Sequence, residues 1–331
     1  MGSEKYRLVT RSDFDGLMCA VLLRSLDLIE GITFVHPKDV QDGKVEITNQ
    51  DILTNLPHSP YAKLVFDHHH SETLRTSSNA MNHVIIPNAP SAARVVYEYY
   101  GGKLTFDQIP TEAMEAVDQA DSANYQLEDI LRPRRWALLN FVMDSRTGLG
   151  RFRHFRISNY QLMMQLIDEV LRHEGVDQIL QDPDVVERIE LYQEQQELFV
   201  EQLRRITTVH GDIVVVDLRG EEVIYAGNRF MVYALYPECR VSAHVIWGKQ
   251  KQNTVIAVGK SILDRTSPVD IGALMLRYGG GGHKNAGTCQ IAHEDSEKVL
   301  AKIIDTVNEE AEMSRAAPTT HAKGPHTFPR W

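Results

Sequence analysis

Two apolar, strand-like runs in the N-terminal part of the chain end in clusters of carboxylates and imidazoles, and this pattern constrains the fold most. Run 6–10 is followed by Asp13 and Asp15, and run 62–66 is followed at once by segment 67–70, which is Asp-His-His-His. Open α/β sheets bind ligands beyond the carboxyl ends of their strands. Carboxylates and imidazoles at such an edge are side chains that hold divalent metals. The pattern therefore predicts a parallel sheet that carries a metal site.

Strand-like runs alternate with helix-like ones over residues 5–125, as a parallel sheet built from βαβ units requires. Ser91 follows Pro90 and is the predicted N-cap of a helix that ends near Gly101. We predict strands at 6–10, 31–37, 51–54 and 63–66, and helices at 16–28 and 91–100.

The remainder of the chain predicts a helical segment at 110–172, a long charged helix at 184–207, and a second sheet closed by a helix at 294–311. Strands of the second sheet are expected at 211–217, 240–247 and 254–258. The predicted α/β organisation is an N-terminal parallel-sheet metal domain, a connecting helix, a smaller C-terminal α/β substrate-binding domain and a disordered tail, at residues 1–183, 184–208, 209–313 and 314–331.

Composition narrows the classes of partner. With 331 residues, of which 43% are hydrophobic and 24% charged, the chain is long enough for two globular domains. A net charge of −10 argues against binding of long duplex DNA, but it is compatible with a short phosphorylated substrate. The cysteines Cys19, Cys239 and Cys289 form no CxxC pair, as expected for a reducing cytoplasm. No run approaches the roughly 20 apolar residues of a membrane helix, so we expect a cytoplasmic protein without membrane association.

A third motif lies near the C-terminal end, where the glycine run 279–282 is followed by His283 and Lys284. In chain order, Asp13-Phe14-Asp15, Asp67-His68-His69 and Gly280-Gly281-Gly282-His283 resemble the motifs of the DHH phosphoesterase family, from about residue 5 to about residue 308. The resemblance implies a hydrolase of phosphodiester or phosphoanhydride bonds that uses two divalent metals, usually manganese. The motif order is most similar to exopolyphosphatase-related members; other members are oligoribonuclease-like.

The resemblance also implies roles for individual residues. Asp13, Asp15 and His68 match metal ligands, His69 matches a group that contacts the scissile phosphate, and Asp67 matches a residue that orients the imidazoles. A turn or a helix cap is the alternative interpretation of the two N-terminal aspartates.

Segment 118–122 resembles the family's fourth motif, in which one aspartate closes the second metal site. We favour Asp121 for this role; the alternative is that Asp118 and Asp121 are a pair of exposed helix carboxylates. His70 is additional, and we expect it at the surface.

Two positions depart from the family pattern. Arg11 stands where the family has a histidine ligand, and Asn55 stands where it has an aspartate. A guanidinium cannot ligate a metal, and an amide oxygen brings no charge. We therefore expect a weakened first metal site, whereas the second retains Asp15, His68 and Asp121. Three interpretations follow: one metal with Arg11 replacing the charge of the other, two metals held by further ligands, or loss of hydrolysis with retained binding.

Several residues are candidates for substrate binding. The loop Gly280-Gly281-Gly282-His283 can turn its backbone amides toward an anion, although a flexible turn is the alternative. Lys260 and Arg265 lie where the family has cationic contacts to the far phosphate of the substrate, or they are solvated charges.

Arginines are concentrated between residues 132 and 156 of an otherwise acidic chain. Segment 144–153 interleaves arginine with glycine and phenylalanine, as a loop that grips phosphates or stacks on a base would. We hypothesise that Arg146 and Arg151 line a cleft between the domains, opposite the glycine loop; the alternative is an interdomain or dimer contact. The arginines are Arg132, Arg134, Arg135, Arg146, Arg151, Arg153 and Arg156.

The sequence indicates a metal-dependent phosphoesterase that acts on a short oligonucleotide, a nucleotide or polyphosphate with one or two divalent ions, preferably Mn²⁺. The alternative is a catalytically impaired protein of the same fold that binds nucleotides or regulates a partner. Metal content separates the two, because a binder that tolerates Arg11 and Asn55 has no need of bound manganese. A homodimer is left open.

Overall fold

The computed structural model of the chain describes residues 4–69, 80–152 and 154–316. His70, Arg153 and the tail from 317 onward lie outside these described residues. The chain divides into two compact units. The first comprises Met1–Thr207, Val216–Pro237 and Ser261–Asp264, and the second comprises Thr208–Val215, Glu238–Lys260 and Arg265–Trp331.

The first unit contains a parallel sheet of five strands in the order β2-β1-β3-β4-β5. Apolar side chains such as Leu8, Leu53 and Val65 are fully buried because helices cover a parallel sheet on both faces. The strands are β1 (Tyr6–Thr10), β2 (Ile29–Phe34), β3 (Asp51–Thr54), β4 (Leu64–Asp67) and β5 (His83–Ile85).

Helix α1 (Phe14–Ser25) follows β1 and is buried on nearly every side, as its apolar composition requires. Asp13 is its N-cap, and the Asp13 carboxylate accepts a hydrogen bond from the Gly16 amide at 3.0 Å. Position 16 must be glycine, because a Cβ there would lie 2.0 Å from the Arg11 carbonyl oxygen. The turn between β1 and α1 is therefore held in one tight conformation.

The other helices of the first unit are mostly short, and no helix among the described residues of the whole chain is long and apolar enough to cross a bilayer. They are α2 (Pro37–Gln41), α3 (Ala92–Tyr99), α4 (Thr111–Asp121), α5 (Leu127–Leu131), α6 (Arg135–Met143), α7 (Asn159–Leu171), α8 (Val176–Ile179), α9 (Pro183–Ile206) and α10 (Met231–Leu235).

A second sheet has six strands in the order β10-β11-β9-β8-β7-β6, and the pairs β10–β11, β11–β9 and β9–β8 are antiparallel. Its core includes Val241, Ile256 and Ile303, which are fully or almost fully buried. The elements are β6 (Thr207–His210), β7 (Ile213–Asp217), β8 (Val241–Trp247), β9 (Thr254–Lys260), β10 (Gly281–His283), β11 (Ala286–Ile291), α11 (Ile271–Leu276) and α12 (Ser296–Ala316).

The predicted α/β class, with an N-terminal parallel sheet and a second α/β sheet, is confirmed. Several local features differ from the expectation. Strand β2 spans Ile29–Phe34 rather than residues 31–37, because Pro37 begins helix α2. Helix α1 begins at Phe14 rather than at residue 16, because Asp13 caps it. The expected glycine loop is instead a hairpin, in which Gly281–His283 pairs with β11. Helix α12 extends to Ala316, three residues into the segment predicted as a tail.

Candidate metal centre

The carboxyl ends of β1, β3 and β4 meet at one edge of the first sheet, which we call the metal edge. Asp13 and Asp15 follow β1, Asn55 follows β3, and Asp67 ends β4 with His68 directly after it. Because these strands are parallel neighbours, side chains from distant parts of the sequence converge here.

Asp15, His68 and Asp121 form what we call the Asp-His-Asp cluster. One ligand atom from each lies within 4.8 Å of the others. Asp121 is the last residue of α4, so a helix completes a site that two strand ends begin. Two carboxylates and one imidazole in this arrangement are a donor set for a divalent metal.

The carboxylate of Asp15 is fixed by the first turn of α3. Its two oxygens accept hydrogen bonds from the amides of Ala92 and Ala93, at 3.1 and 2.7 Å. Burial and the neighbouring Asp121 carboxylate raise the pKa of Asp15 to about 8, although the amide bonds act in the opposite direction. The buried carboxylates of Asp15 and Asp121 repel each other when both are ionised, and a bound cation would offset this repulsion.

The imidazole of His68 is oriented by a backbone carbonyl. Its Nδ1 lies 3.0 Å from the oxygen of Ala89, which can only accept, so Nδ1 carries a proton. Its Nε2 is buried and lies 3.0 Å from the Asp121 carboxylate. Burial disfavours the charged form, but Asp121 and Asp15 raise the pKa of His68 to about 9. In the neutral form, the Nε2 lone pair of His68 is available to a metal ion that Asp15 and Asp121 would also bind.

Asp121 and Asp118, two candidates on α4, are separated by their partners. The Asp118 carboxylate accepts hydrogen bonds from the Arg94 guanidinium and the Ser91 hydroxyl, which makes it part of the packing of α3 against α4. Burial raises the pKa of Asp121, but the contact with His68 outweighs this effect and lowers it. Among the two aspartates, Asp121 is the one that joins the cluster.

Asp67 orients the residues that follow it. One of its oxygens accepts from the amides of His68 and His69 and lies 2.6 Å from Nδ1 of His69. The rings of His68 and His69 lie 4.7 Å apart, so the second imidazole stands beside the cluster. Asp67 is fully buried, and this geometry agrees with an orienting role.

A different arrangement occupies the rest of the metal edge, which we call the Arg-Asp-Asn positions (Arg11, Asp13 and Asn55). The Arg11 guanidinium lies 3.2 Å from the Asp13 carboxylate and forms an ion pair with it. Burial raises the pKa of Asp13, and Arg11 opposes the shift. Asn55 has a left-handed backbone, with φ of 55°, and neither atom of its buried amide has a hydrogen-bond partner among the described residues.

Asp144 holds two arginines beside this edge. Its buried carboxylate contacts Arg146 at 2.8 Å and Arg229 at 2.9 Å. Although burial opposes ionisation, these two charges hold the pKa of Asp144 well below its usual range. The charge of Arg146 also opposes the rise in the pKa of Asp13.

Sequence reasoning missed Arg229 and the role of Asp144. Arg229 is distant in sequence and follows no recognisable motif. The one sequence signal for this arrangement was Asp144 itself, an acidic residue within an arginine-rich segment. Arg151 instead folds back onto Gly148 and donates to the carbonyl of Ile224 at 3.4 Å. Other arginines of the predicted segment form ion pairs away from the cluster, namely Arg132 with Glu128, Arg135 with Glu112 and Asp177, and Arg156 with Asp184.

The remaining predicted substrate contacts lie in the second unit. Gly280 donates to the carbonyl of Met275, and residues 281–283 form the edge strand of the second sheet. Gly282 has a φ of 155°, and a Cβ there would lie 2.2 Å from the Ala286 oxygen, so the hairpin itself requires glycine. Lys260 is buried and donates to the carbonyl of Ser267 at 3.0 Å, whereas Arg265 is exposed.

Comparisons with known proteins agree with this geometry. A pGpG-specific phosphodiesterase from Vibrio cholerae is 58% identical, with a TM-score of 0.76, and the match covers 92% of this chain and 100% of that one. An exopolyphosphatase-related protein from Bacteroides fragilis has the same fold at 13% identity and a TM-score of 0.51, covering 93% of this chain and 94% of its own. Neither a protein-family model nor a curated protein matches.

The resemblance inferred from the motifs is thus supported by a relative that aligns over its full length. The donor set of Asp15, His68 and Asp121 suits a divalent metal. Together these observations identify the chain as a member of the DHH family of phosphoesterases, a metal-dependent hydrolase of phosphoester bonds.

Proposed function

We propose that this chain hydrolyses pGpG, a 5′-phosphorylated guanine dinucleotide, to two molecules of GMP with one Mn²⁺ ion. The observation that carries the proposal is the 58% identity to a pGpG-specific phosphodiesterase over that protein's whole length. The net charge of −10 agrees with a short substrate, because long nucleic acids are held by many cationic contacts. The same relative favours retained hydrolysis over the alternative of a binding protein without activity.

Asp15, His68 and Asp121 are the residues that would hold the ion. A divalent ion supplies positive charge to the non-bridging oxygens of a phosphate and lowers the pKa of an attacking water. Mn²⁺ accepts both carboxylate and imidazole donors, which is why we favour it. Asn55 brings no charge, so we assign it no strong ligand role.

Arg11 and Arg146 supply the positive charge that a second metal ion would provide in a two-metal phosphoesterase. Both guanidiniums act on Asp13, and both are fixed, since Arg11 lies against Asp13 and Arg146 against Asp144. Preorganised cations that face a phosphate stabilise the charge that develops in the transition state. We therefore assign Arg11 to the scissile phosphate, and Arg146 with Arg229 to the neighbouring phosphate of the dinucleotide.

His69 is assigned to the scissile phosphate and Asp67 to the orientation of His69. Water adds to the phosphorus between the nucleosides, and the bond from phosphorus to the 3′ oxygen breaks. The proton that the water loses is balanced by the proton that the 3′ oxygen gains. His69 lies beside the cluster and is the group that we expect to pass that proton.

Product analysis tests this proposal. The native chain, His68→Ala and the exposed-histidine control His210→Ala are incubated with Mn²⁺ and pGpG, a five-nucleotide RNA or polyphosphate. We expect two GMP per pGpG, intact polyphosphate, and a rate about 10³-fold lower in His68→Ala alone, because losing the ion removes several kcal/mol of charge stabilisation. Faster cleavage of polyphosphate would refute the substrate, and an active His68→Ala would refute the site. A homodimer, a cytoplasmic location and substrate contacts from the second unit stay predictions.

A further inference from the structure

A cavity of about 470 Å³ lies within the first unit and has no role in the chemistry described so far. Its described walls are segments 142–145, 149–150 and 157–159 together with Phe152, Phe155 and Arg188. The volume falls in the range of roughly 300–1,000 Å³ that is typical of small-ligand pockets.

The walls combine apolar and aromatic side chains. Phe152 and Phe155 are both half-buried and line the cavity. Leu149 and Met143 complete the apolar surface. Flat ring faces in a partly open cavity are the surface on which nucleobases stack.

Arg188 is the support of this surface. Its guanidinium lies 4.3 Å from the centre of the Phe155 ring, and its side chain is only 2% exposed. It donates to the carbonyls of Asp184 at 2.6 Å and of Ile157 at 2.8 Å. Because its guanidinium is occupied by these bonds, Arg188 packs against Phe155 and holds the ring in place. We therefore expect the ligand to contact other residues of the wall.

The cavity adjoins the metal edge at two points. The Asn159 side chain donates to the Ser12 hydroxyl at 3.4 Å, and Ser12 lies between Arg11 and Asp13. Asp144 lines the cavity and also holds Arg146. A nucleotide whose phosphate contacts these arginines therefore has an aromatic cavity next to it, and Asn159 offers an amide donor and an acceptor for a base edge.

We infer that this cavity binds one purine base of the substrate by stacking on Phe152 and Phe155. The inference rests on the proposed dinucleotide substrate for the identity of the ligand. It adds a base-binding site to the phosphate contacts that we propose at the metal edge.

Equilibrium binding of GMP and of ribose 5-phosphate, which has no base, tests the inference on the full-length chain. Phe155→Leu keeps the apolar volume and removes the ring, Phe155→Tyr keeps the ring, and Phe34→Leu is a control at a half-buried phenylalanine outside the cavity. We expect Phe155→Leu to weaken GMP binding about tenfold, because the stacking of the base on the ring is lost. Ribose 5-phosphate binding stays unchanged, and Phe155→Tyr restores GMP binding.

Equal GMP affinity in Phe155→Leu and the native chain would overturn the inference. Phe152→Leu leaves the contact between Arg188 and Phe155 in place, so it gives the same test if Phe155→Leu does not fold. In turnover of pGpG, the inference predicts a raised KM with little change in kcat. If the native chain does not cleave pGpG, the proposed function fails, whereas the GMP and ribose 5-phosphate arms still decide whether the cavity binds a base.

Discussion

The two parts of the metal edge share the end of β1 but carry opposite arrangements of charge. In the Asp-His-Asp cluster, two carboxylates and an imidazole converge within 4.8 Å. At the Arg-Asp-Asn positions, a guanidinium lies 3.2 Å from the carboxylate and a neutral amide stands at the end of β3. The first arrangement attracts a cation, whereas the second already contains one. This difference is the basis of our proposal that the Arg11 guanidinium takes the electrostatic place of a second ion at this edge.

The largest effect should come from removing a carboxylate of the Asp-His-Asp cluster. Asp121→Asn keeps the shape but removes the charge, and we expect loss of bound Mn²⁺ with kcat/KM about 10³-fold lower. Asp118→Asn is the matched control three residues away, because Asp118 pairs with Arg94 instead. It should keep the metal and lose about 1 kcal/mol of stability. Metal analysis and thermal unfolding separate the two, and equal metal loss in both would contradict the assignment.

A smaller effect is expected at the Arg-Asp-Asn positions. Arg11→Ala removes the fixed cation, so kcat should fall about 10²-fold while the Mn²⁺ content stays unchanged. Arg24→Ala serves as the control, since Arg24 forms only a partly exposed ion pair with Asp168. Steady-state kinetics with metal analysis is the measurement. Loss of Mn²⁺ in Arg11→Ala would contradict the proposal, because it would mean that Arg11 supports metal binding at the Asp-His-Asp cluster.

The smallest effect on the chemical step is expected at Asp144. Asp144→Asn leaves Arg146 and Arg229 without their shared anion, so KM should rise about tenfold with a modest change in kcat. Because both arginines are partly exposed, the free energy of unfolding should fall by only about 1 kcal/mol. Arg135→Ala, which breaks exposed pairs, is the control. An unchanged KM would show that these arginines do not contact the substrate.

Much of the first unit follows from local sequence. The apolar runs of β1, β3 and β4 predict their strands, and the polar residues after them predict the metal edge because parallel strands end on one side. The choice between Asp118 and Asp121 depended on a resemblance, and the physical reason lies in the pairing of Asp118 with Arg94 across two helices. Such a pairing cannot be recognised from either segment alone.

Other features depend on contacts between distant segments or on glycine. Arg229 reaches Asp144 from 85 residues away, and no pattern in either segment signals the contact. Residues 281–283 were predicted as a loop because a glycine run has no side-chain alternation, yet their backbone pairs with β11. The sequence indicated base stacking only as one of two roles for segment 144–153. The cavity itself could not be predicted from that segment, because Arg188 on α9 forms part of its wall.

Metal stoichiometry decides whether the metal edge of the native chain binds one ion or two. Mn²⁺ is titrated into the native chain and into the double variant Arg11→His/Asn55→Asp, with isothermal calorimetry and elemental analysis after dialysis. We expect one tightly bound ion in the native chain and a second in the double variant, because the substitutions replace a cation and a neutral amide with two ligands. Two tightly bound ions in the native chain would contradict it.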